Sequence, residues 1–257
     1  MANTSNFAMY PSLRDRAVVI TGGATGIGLA IVEAFAFQGA RVCFLDVQDD
    51  AAAELAGRLR DCRHLPAYRH CDLADVAALR STIAALAEDS GTIDVLVNNA
   101  GNDTRHTIAE VTPEFWDHTI AVNLKHQFFA AQAVIPFMQR ARRGSIVNMS
   151  SIGWVIPSVN QSVYVTAKAA IVGMTRTLAH EVGADNIRVN AIMPGAISTE
   201  RQKRLWLTDE YKAEVLRNQA LKRMIEPEEV ARLALFLAAD DSAAITNQSY
   251  VIDGGWV

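Results

Sequence analysis

The chain has 257 residues, half of them hydrophobic and a fifth charged, and a net charge of −4. That length suits one α/β domain spanning residues 1–257, and the composition is ordinary for a globular protein. Acidic and basic residues are mixed, so no Lys/Arg block points to nucleic acid and no basic amphipathic helix to a membrane surface. The longest apolar runs, such as LAIVEAFAF, fall well short of the about 20 residues that span a bilayer, and MANTSNFAMYPSLRDR at the N-terminus has neither a basic nor an apolar leader segment. Cys43, Cys62 and Cys71 are odd in number and lack metal-ligand spacing; unpaired thiols, no metal and a cytoplasmic setting are expected.

Seven short apolar runs alternate with helical patterns. The first, RAVVITG, leads into GATGIG, where a strand, a glycine turn and a helix follow in that order. ARVCFLDV ends at Asp46, and Asp49 or Asp50 is placed to cap the helix DDAAAELAG. AYRHCDL comes next, followed by DVAALRSTIAALAED, a helix opening at a capping Asp75. IDVLVNNAG, GSIVNMSS, IRVNAIMPG and SYVIDGG complete the strands, with the helical stretch SVYVTAKAA before IRVNAIMPG. Several strands are continuous apolar runs, the mark of strands buried on both faces of a parallel sheet. The pattern predicts a Rossmann-type doubly wound parallel sheet in three layers. Residues 196–225, a charged helical insert before a helix starting near Pro227, are expected to form a lid over the site.

Gly22, Gly26 and Gly28 let the backbone turn sharply and approach a diphosphate, whose charge the helix N-terminus favours. Asp46, eighteen residues past Gly28, is placed to accept both ribose hydroxyls of an adenosine and to repel a 2′-phosphate, which predicts NAD over NADP. Asp72 could bond an adenine amino group, and the backbone from Asn98 to Gly101 could pass under the cofactor; a purely structural role fits Asn98 and Asn99 equally well.

Taken in order, TGGATGIG, Asp46, CDL, NNAG, Asn123, the serine pair 150–151, Tyr164-x-x-x-Lys168 and Pro194-Gly195 strongly resemble the short-chain dehydrogenase/reductase family from Leu13 to Val257. The resemblance implies a seven-stranded sheet, a nicotinamide cofactor, a homotetramer and a catalytic set of Asn123, Ser151, Tyr164 and Lys168. Ser151, thirteen residues before Tyr164, takes the serine role, with Ser150 supporting. It also implies dinucleotide contacts from Thr25, Ile27, Val47, Leu73, Asn99, Ala100, Gly101, Tyr164 and Lys168. Pro194, Gly195, Ile197 and Thr199 would pack on the nicotinamide, and Asn123 would link Lys168 to solvent through water.

The chemistry has its own physical argument. Alcohol oxidation by hydride transfer needs a proton acceptor, and a free phenol with pKa about 10 is poorly matched to neutral pH. Lowering it by about 2–3 units takes roughly 3–4 kcal/mol, and an ammonium about 4 Å away at an effective dielectric near 20 offers roughly 4 kcal/mol. The i, i+4 spacing puts Tyr164 and Lys168 on one helix face.

For the substrate, YPSL, NNAGNDTRH, TERQKRLW and ALKRMI resemble bacterial aldose 1-dehydrogenases of the D-xylose and L-arabinose type. Asn102, Asp103, Arg105 and His106 offer several donors and acceptors to a polyhydroxylated ring. Trp154 could stack on the ring, and Asn160 and Gln161 could reach hydroxyls; packing roles fit each of these residues equally. With Ser151 and Tyr164 they form the expected substrate set, for oxidation of a pentose or deoxyhexose to its lactone with NAD. A general NAD-dependent secondary alcohol or polyol dehydrogenase is the alternative. A non-catalytic NAD-binding regulator is disfavoured because both Tyr164 and Lys168 are present.

Overall fold

A computed structural model describes residues 8–257; the leader reading of the N-terminus falls in part on residues 1–7, outside the described residues. All seven strands form where the apolar runs predict: β1 (Ala17–Thr21), β2 (Arg41–Asp46), β3 (Ala67–His70), β4 (Val95–Asn98), β5 (Gly144–Met149), β6 (Ile187–Pro194) and β7 (Ser249–Ile252). Every pairing is parallel, in the order β3-β2-β1-β4-β5-β6-β7.

Alternate residues of each strand feed two cores. Val18, Ile20, Phe44, Val97 and Val147 pack against helices α1 (Gly26–Phe37), α2 (Asp49–Arg58) and α9 (Pro227–Ala238). Val19, Leu45, Leu96, Ile146 and Val189 pack against α3 (Val76–Ser90), α5 (His126–Ala141) and α6 (Ser162–Val182). Both faces are thus apolar, which is why these strands read as continuous hydrophobic runs. The chain winds outward from β1 to β3 and then returns to lay β4 beside β1, so a crevice opens at the carboxyl ends of β1 and β4.

Helix starts follow local chemistry. Asp75 caps α3 by accepting from the amides of Ala77 and Ala78 at 2.9 and 3.0 Å, as expected. The expected Asp49 or Asp50 cap on α2 is not formed: Gln48 holds the cap position, and both aspartates lie in the first turn. Asp49 instead accepts from the Tyr68 hydroxyl at 2.6 Å and bonds His70 Nδ1 at 2.9 Å. Its charge still suits the positive end of the helix.

The long helical stretch after β4 is interrupted. Helix α4 (Pro113–Ile120) runs into a π-helical turn at Ala121–Lys125 before α5 begins at His126. A π turn inserts a residue into the helical ladder and rotates the side chains around it, a distortion found often at functional sites. Asn123 sits in this turn and is buried.

His126, one residue beyond it, is fully enclosed. Burial pushes its pKa down to about 3, helped by the charge of Lys168 and opposed by the carbonyls of Ala121 and Val122. Between the ordinary histidine pKa and about 3, the unfolded chain binds a proton that the folded chain does not, so stability falls as pH drops through that window. His126→Gln is expected to flatten the wild-type loss, which approaches about 1.4 kcal/mol per pH unit, in urea midpoints measured across it. Parallel midpoint curves for the two proteins would show that His126 contributes nothing.

Candidate active site

The glycine turn after β1 forms the floor of the crevice. Gly22 and Gly26 have φ of +66° and +59°, and a Cβ on Gly28 would lie 1.8 Å from the Gly22 carbonyl oxygen. No side chain fits there, so the backbone must be bare where it bends. Asn99 fastens this turn from the next strand: its amide donates to the carbonyls of Thr21 and Gly22 at 3.0 and 2.8 Å. Of the two asparagines, Asn98 is wholly structural, enclosed in the sheet and bonded to Gln127 O and Asn148 Oδ1. Asn99 also faces the crevice.

Asp46 is buried, and its carboxylate is engaged by backbone amides. One oxygen accepts from Ala24 at 2.9 Å and the other from Val47 and Gln48 at 2.8 and 3.1 Å. It braces the glycine turn against the end of β2, and the cleft wall beside it is made by Gln48 and Thr25. Gln48 Nε2 donates to the second of these oxygens as well, at 3.4 Å, so only Oδ2, with its single donor, keeps an acceptor position for a ligand hydroxyl. Asp72 is exposed and accepts from its own turn at Ala74, 2.9 Å away. Of the expected cofactor residues, Gly22, Asp46, Val47, Asp72, Leu73 and Ala100 do not line the cleft.

That cleft has a volume of about 680 Å³. Thr25–Gly28, Gly101, Ser151, Tyr164, Lys168, Pro194, Gly195, Ile197 and Thr199 are among the residues that line it. A Cβ on Gly101 would come within 3.1 Å of Lys168 Nζ, and one on Gly22 within 2.8 Å of Ala100 Cα; the bare backbone is what lets the walls close on a flat ligand. The residues present therefore fit the cofactor expected from the sequence.

Ser150 and Ser151 divide as their opposite strand-end directions require. Ser150 Oγ donates to the Lys168 carbonyl at 2.7 Å and is buried. Ser151 Oγ accepts from Gly153 N at 3.0 Å and faces the Tyr164 phenol. Lys168 is 3 % exposed, and its ammonium donates to the carbonyl oxygen of Met149, the last residue of β5, at 2.9 Å. Burial brings its pKa down to about 8, with the negative charge of Asp103 pulling the other way.

The electrostatics of the pair differ from the expectation. Lys168 Nζ stands 5.5 Å from the centroid of the Tyr164 ring, and the phenol is pushed up rather than down. Loss of water is the largest cause, the charge of Asp103 adds to it, and the Ser151 hydroxyl opposes it. An ammonium that is itself desolvated and committed to a carbonyl does not offset the burial of a phenol.

Asn123 is 1 % exposed and works as a brace. Its Oδ1 accepts from Asn102 N at 2.8 Å, and its Nδ2 donates to the carbonyls of Asn102 and Thr119 at 3.1 and 3.0 Å. The π turn thereby fixes the loop that follows β4. Asn102 Oδ1 accepts from the Thr104 amide and hydroxyl and from Arg201. His106 is a satisfied structural residue, bonded to Thr104 O at 3.1 Å and to Ser162 Oγ at 3.2 Å.

Asn102, Trp154 and Asn160, placed in the substrate set from sequence, lie outside the cleft wall. Trp154 ends a short turn with its side chain partly in solvent. Asn160 adopts φ +60°, and its carbonyl accepts from His106 N at 2.8 Å. The tryptophan that lines the cleft is Trp256, together with Gln161, Arg201, Gln202 and Tyr211. Trp256 has a legible signal in hindsight, because β7 ends at Ile252 on the carboxyl edge and the tail must leave into the crevice. Arg201 and Gln202 belong to the 196–225 segment, which forms α7 (Glu200–Leu205) and α8 (Asp209–Asn218).

Comparison with known proteins accords with this geometry. A family model described as Enoyl-(Acyl carrier protein) reductase matches residues 22–257. The chain is 48% identical over 249 residues to "Probable galactose dehydrogenase GalD" of Rhizobium meliloti (strain 1021), covering 96% of this chain and 97% of that one. It is 46% identical over 249 residues to the D-xylose 1-dehydrogenase of Caulobacter vibrioides (strain NA1000 / CB15N), covering 97% and 98%. A short-chain type dehydrogenase/reductase from Mycobacterium ulcerans superposes with a TM-score of 0.91 at 27% identity, over 95% of this chain and 90% of that one. With its seven-stranded sheet, glycine turn and Ser-Tyr-Lys cleft, this chain belongs to the short-chain dehydrogenase/reductase family and is an oxidoreductase that uses a nicotinamide cofactor.

Proposed function

We propose that the protein oxidises a cyclic aldose, a pentose or deoxyhexose, at its anomeric carbon to give an aldonolactone, with NAD as the oxidant. The observation that carries this reading is the polar wall facing Tyr164 and Ser151: Asp103, Arg105, Gln161, Arg201 and Gln202 all line the cleft beside them. A site built of hydrogen-bonding groups selects a substrate rich in hydroxyls, because an analogue lacking them leaves those groups unpaired. The similarity to the galactose and D-xylose dehydrogenases supports the same conclusion.

Tyr164 takes the proton of the anomeric hydroxyl, and Ser151 holds that oxygen by a hydrogen bond. Lys168, fixed on the Met149 carbonyl, supplies positive charge beneath the phenol, and Asn123 keeps the loop after β4 in place. Thr25–Gly28, Asp46, Gly101 and Pro194–Thr199 hold the dinucleotide. When bound, oxidised NAD supplies the hydride acceptor and a positive charge beside the phenol. Burial alone raises the phenol's pKa, and the positive charge of Lys168 and of bound cofactor would work against it. Residues 196–225 cover the cleft as a lid on the one domain, and exclude water from it.

Among the described residues, no helix is long and apolar enough to cross a membrane. An apolar groove between α5 and α6, lined by Leu124, Phe128, Phe129 and Met174, supports a subunit contact in a homotetramer.

NADH absorbance with a panel of aldoses and simple secondary alcohols tests the assignment. Turnover of at least one aldose is expected, with kcat reduced about 10²–10⁴-fold in Tyr164→Phe, the usual worth of a positioned general base. Turnover of alcohols alone would contradict the sugar reading, and an undiminished Tyr164→Phe would remove the base. Asp46→Ala is expected to narrow the preference in kcat/KM for NAD over NADP; an unchanged ratio would leave Asp46 with its bracing role only.

A further inference from the structure

The 196–225 segment is a closed excursion from the sheet. Its two ends are zipped together by a parallel bridge between Ile197 and Ile225, with Ser198 N donating to Ile225 O at 2.8 Å. Beyond that hinge, what holds α7 against the body of the enzyme is the loop after β4. Gln202 Nε2 donates to Asp103 Oδ2 at 2.6 Å, Arg201 Nε donates to Asp103 Oδ1 at 3.4 Å, and Arg201 Nη2 donates to Asn102 Oδ1 at 3.0 Å. Farther along, the Arg105 guanidinium stacks over the Trp206 ring at 5.1 Å.

Asp103 is the shared element of this clasp. Its side chain is 16 % exposed, while its partner Arg201 is 43 % exposed. The carboxylate therefore lies at the inner end of the contact and lines the cleft. Its two lid partners occupy one acceptor position on each oxygen, and a carboxylate has about four. Asp103 is also the charge that the catalytic helix feels: it raises the pKa of both Tyr164 and Lys168. The ionisable and polar groups facing it are Tyr164 and Lys168 of α6, Arg201 and Gln202 of α7, and Tyr211 of α8.

We propose that Asp103 is a positioning and specificity-determining residue: its carboxylate latches the lid over the cleft through Gln202 and Arg201 and offers its remaining acceptor positions to substrate hydroxyls beside Tyr164. The hydroxyl half of this assignment rests on the aldose reading, whereas the latch does not. A latch of this kind makes closure and recognition one event. Lid donors on one side and substrate donors on the other converge on the same two oxygens, and the charge at Tyr164 depends on where those oxygens sit.

Two measurements separate the parts. In the substrate-free enzyme, tryptic cleavage after Lys203 and Arg204 reads lid opening. Asp103→Ala and Gln202→Ala are each expected to speed it about tenfold, the equilibrium worth of a charge-assisted hydrogen bond. The far-UV circular dichroism spectrum and the gel-filtration elution volume are expected to stay at the wild-type values and so to certify the fold. Cleavage at the wild-type rate in both variants would overturn the latch.

The second measurement is the pH profile of kcat/KM for the best aldose in Asp103→Asn, which keeps the shape and removes the charge. A nearby negative charge disfavours phenolate and favours ammonium, so its removal lowers both ionisations. The acid limb is expected to move to lower pH by about one unit, with a raised KM for sugar. Gln202→Ala, which leaves the charge in place, is expected to keep the wild-type limb. An unmoved limb together with an unchanged KM in Asp103→Asn would overturn the role at the site. A wild type that turns over no aldose refutes the sugar reading instead, and the cleavage arm still decides the latch.

Discussion

The site depends on one buried ammonium. Lys168 is almost wholly withdrawn from water, and its Nζ is held by the carbonyl oxygen of Met149 at the end of β5. Burying a cation is costly unless acceptors and negative charge surround it. The cost here is visible in a pKa drawn down to about 8, kept from falling further by Asp103. That arrangement requires β5 to end where it does, α6 to pass directly beneath it, and Gly101 to lack a side chain that would crowd Nζ.

The parallel sheet supplies those conditions. Residues at the carboxyl ends of β1, β4, β5 and β6 converge on one edge, and the order reversal at β1 and β4 opens the crevice between them. Around it the polar residues act mostly on the backbone. Asn99 and Asp46 brace the glycine turn, Asn123 braces the loop after β4, and Ser150 ties α6 to β5. Ser151 and Tyr164 face the cleft from the end of β5 and from α6, elements held by the sheet and its packed helix. Such preorganisation favours a transition state over solvent rearrangement.

The fold was legible because its determinants are local. Continuous apolar runs of strand length, a capping aspartate at 75 and a glycine turn after β1 each carry a physical meaning at short range. The grouping of Ser151 with Tyr164 and Lys168 came from the family resemblance; the residues themselves showed only that the i, i+4 pair shares a helix face. The misreadings concern long-range packing. Trp154 and Trp256 are far apart in sequence and both near glycines, and only the path of the C-terminal tail decides which enters the cleft. Asp49 has good capping chemistry, yet Tyr68 and His70 on the neighbouring strand claim its carboxylate. The sign of the shift at Tyr164 was missed for a related reason. Charge spacing along a helix is visible in the sequence, but the water removed from around the phenol is not.

On the proposed reading, positive charge from Lys168, joined by that of bound cofactor, makes a buried phenol a usable base. The most direct test of that reading is the ionisation of Tyr164 itself, followed by NMR of isotope-labelled tyrosine in the free enzyme, in the NAD complex and in the NAD complex of Lys168→Met. The phenol is expected to stay protonated past the ordinary tyrosine range when free, to ionise well below that range in the complex, and to return upward when the lysine is removed. A phenol that ionises at the same pH in all three states would contradict it.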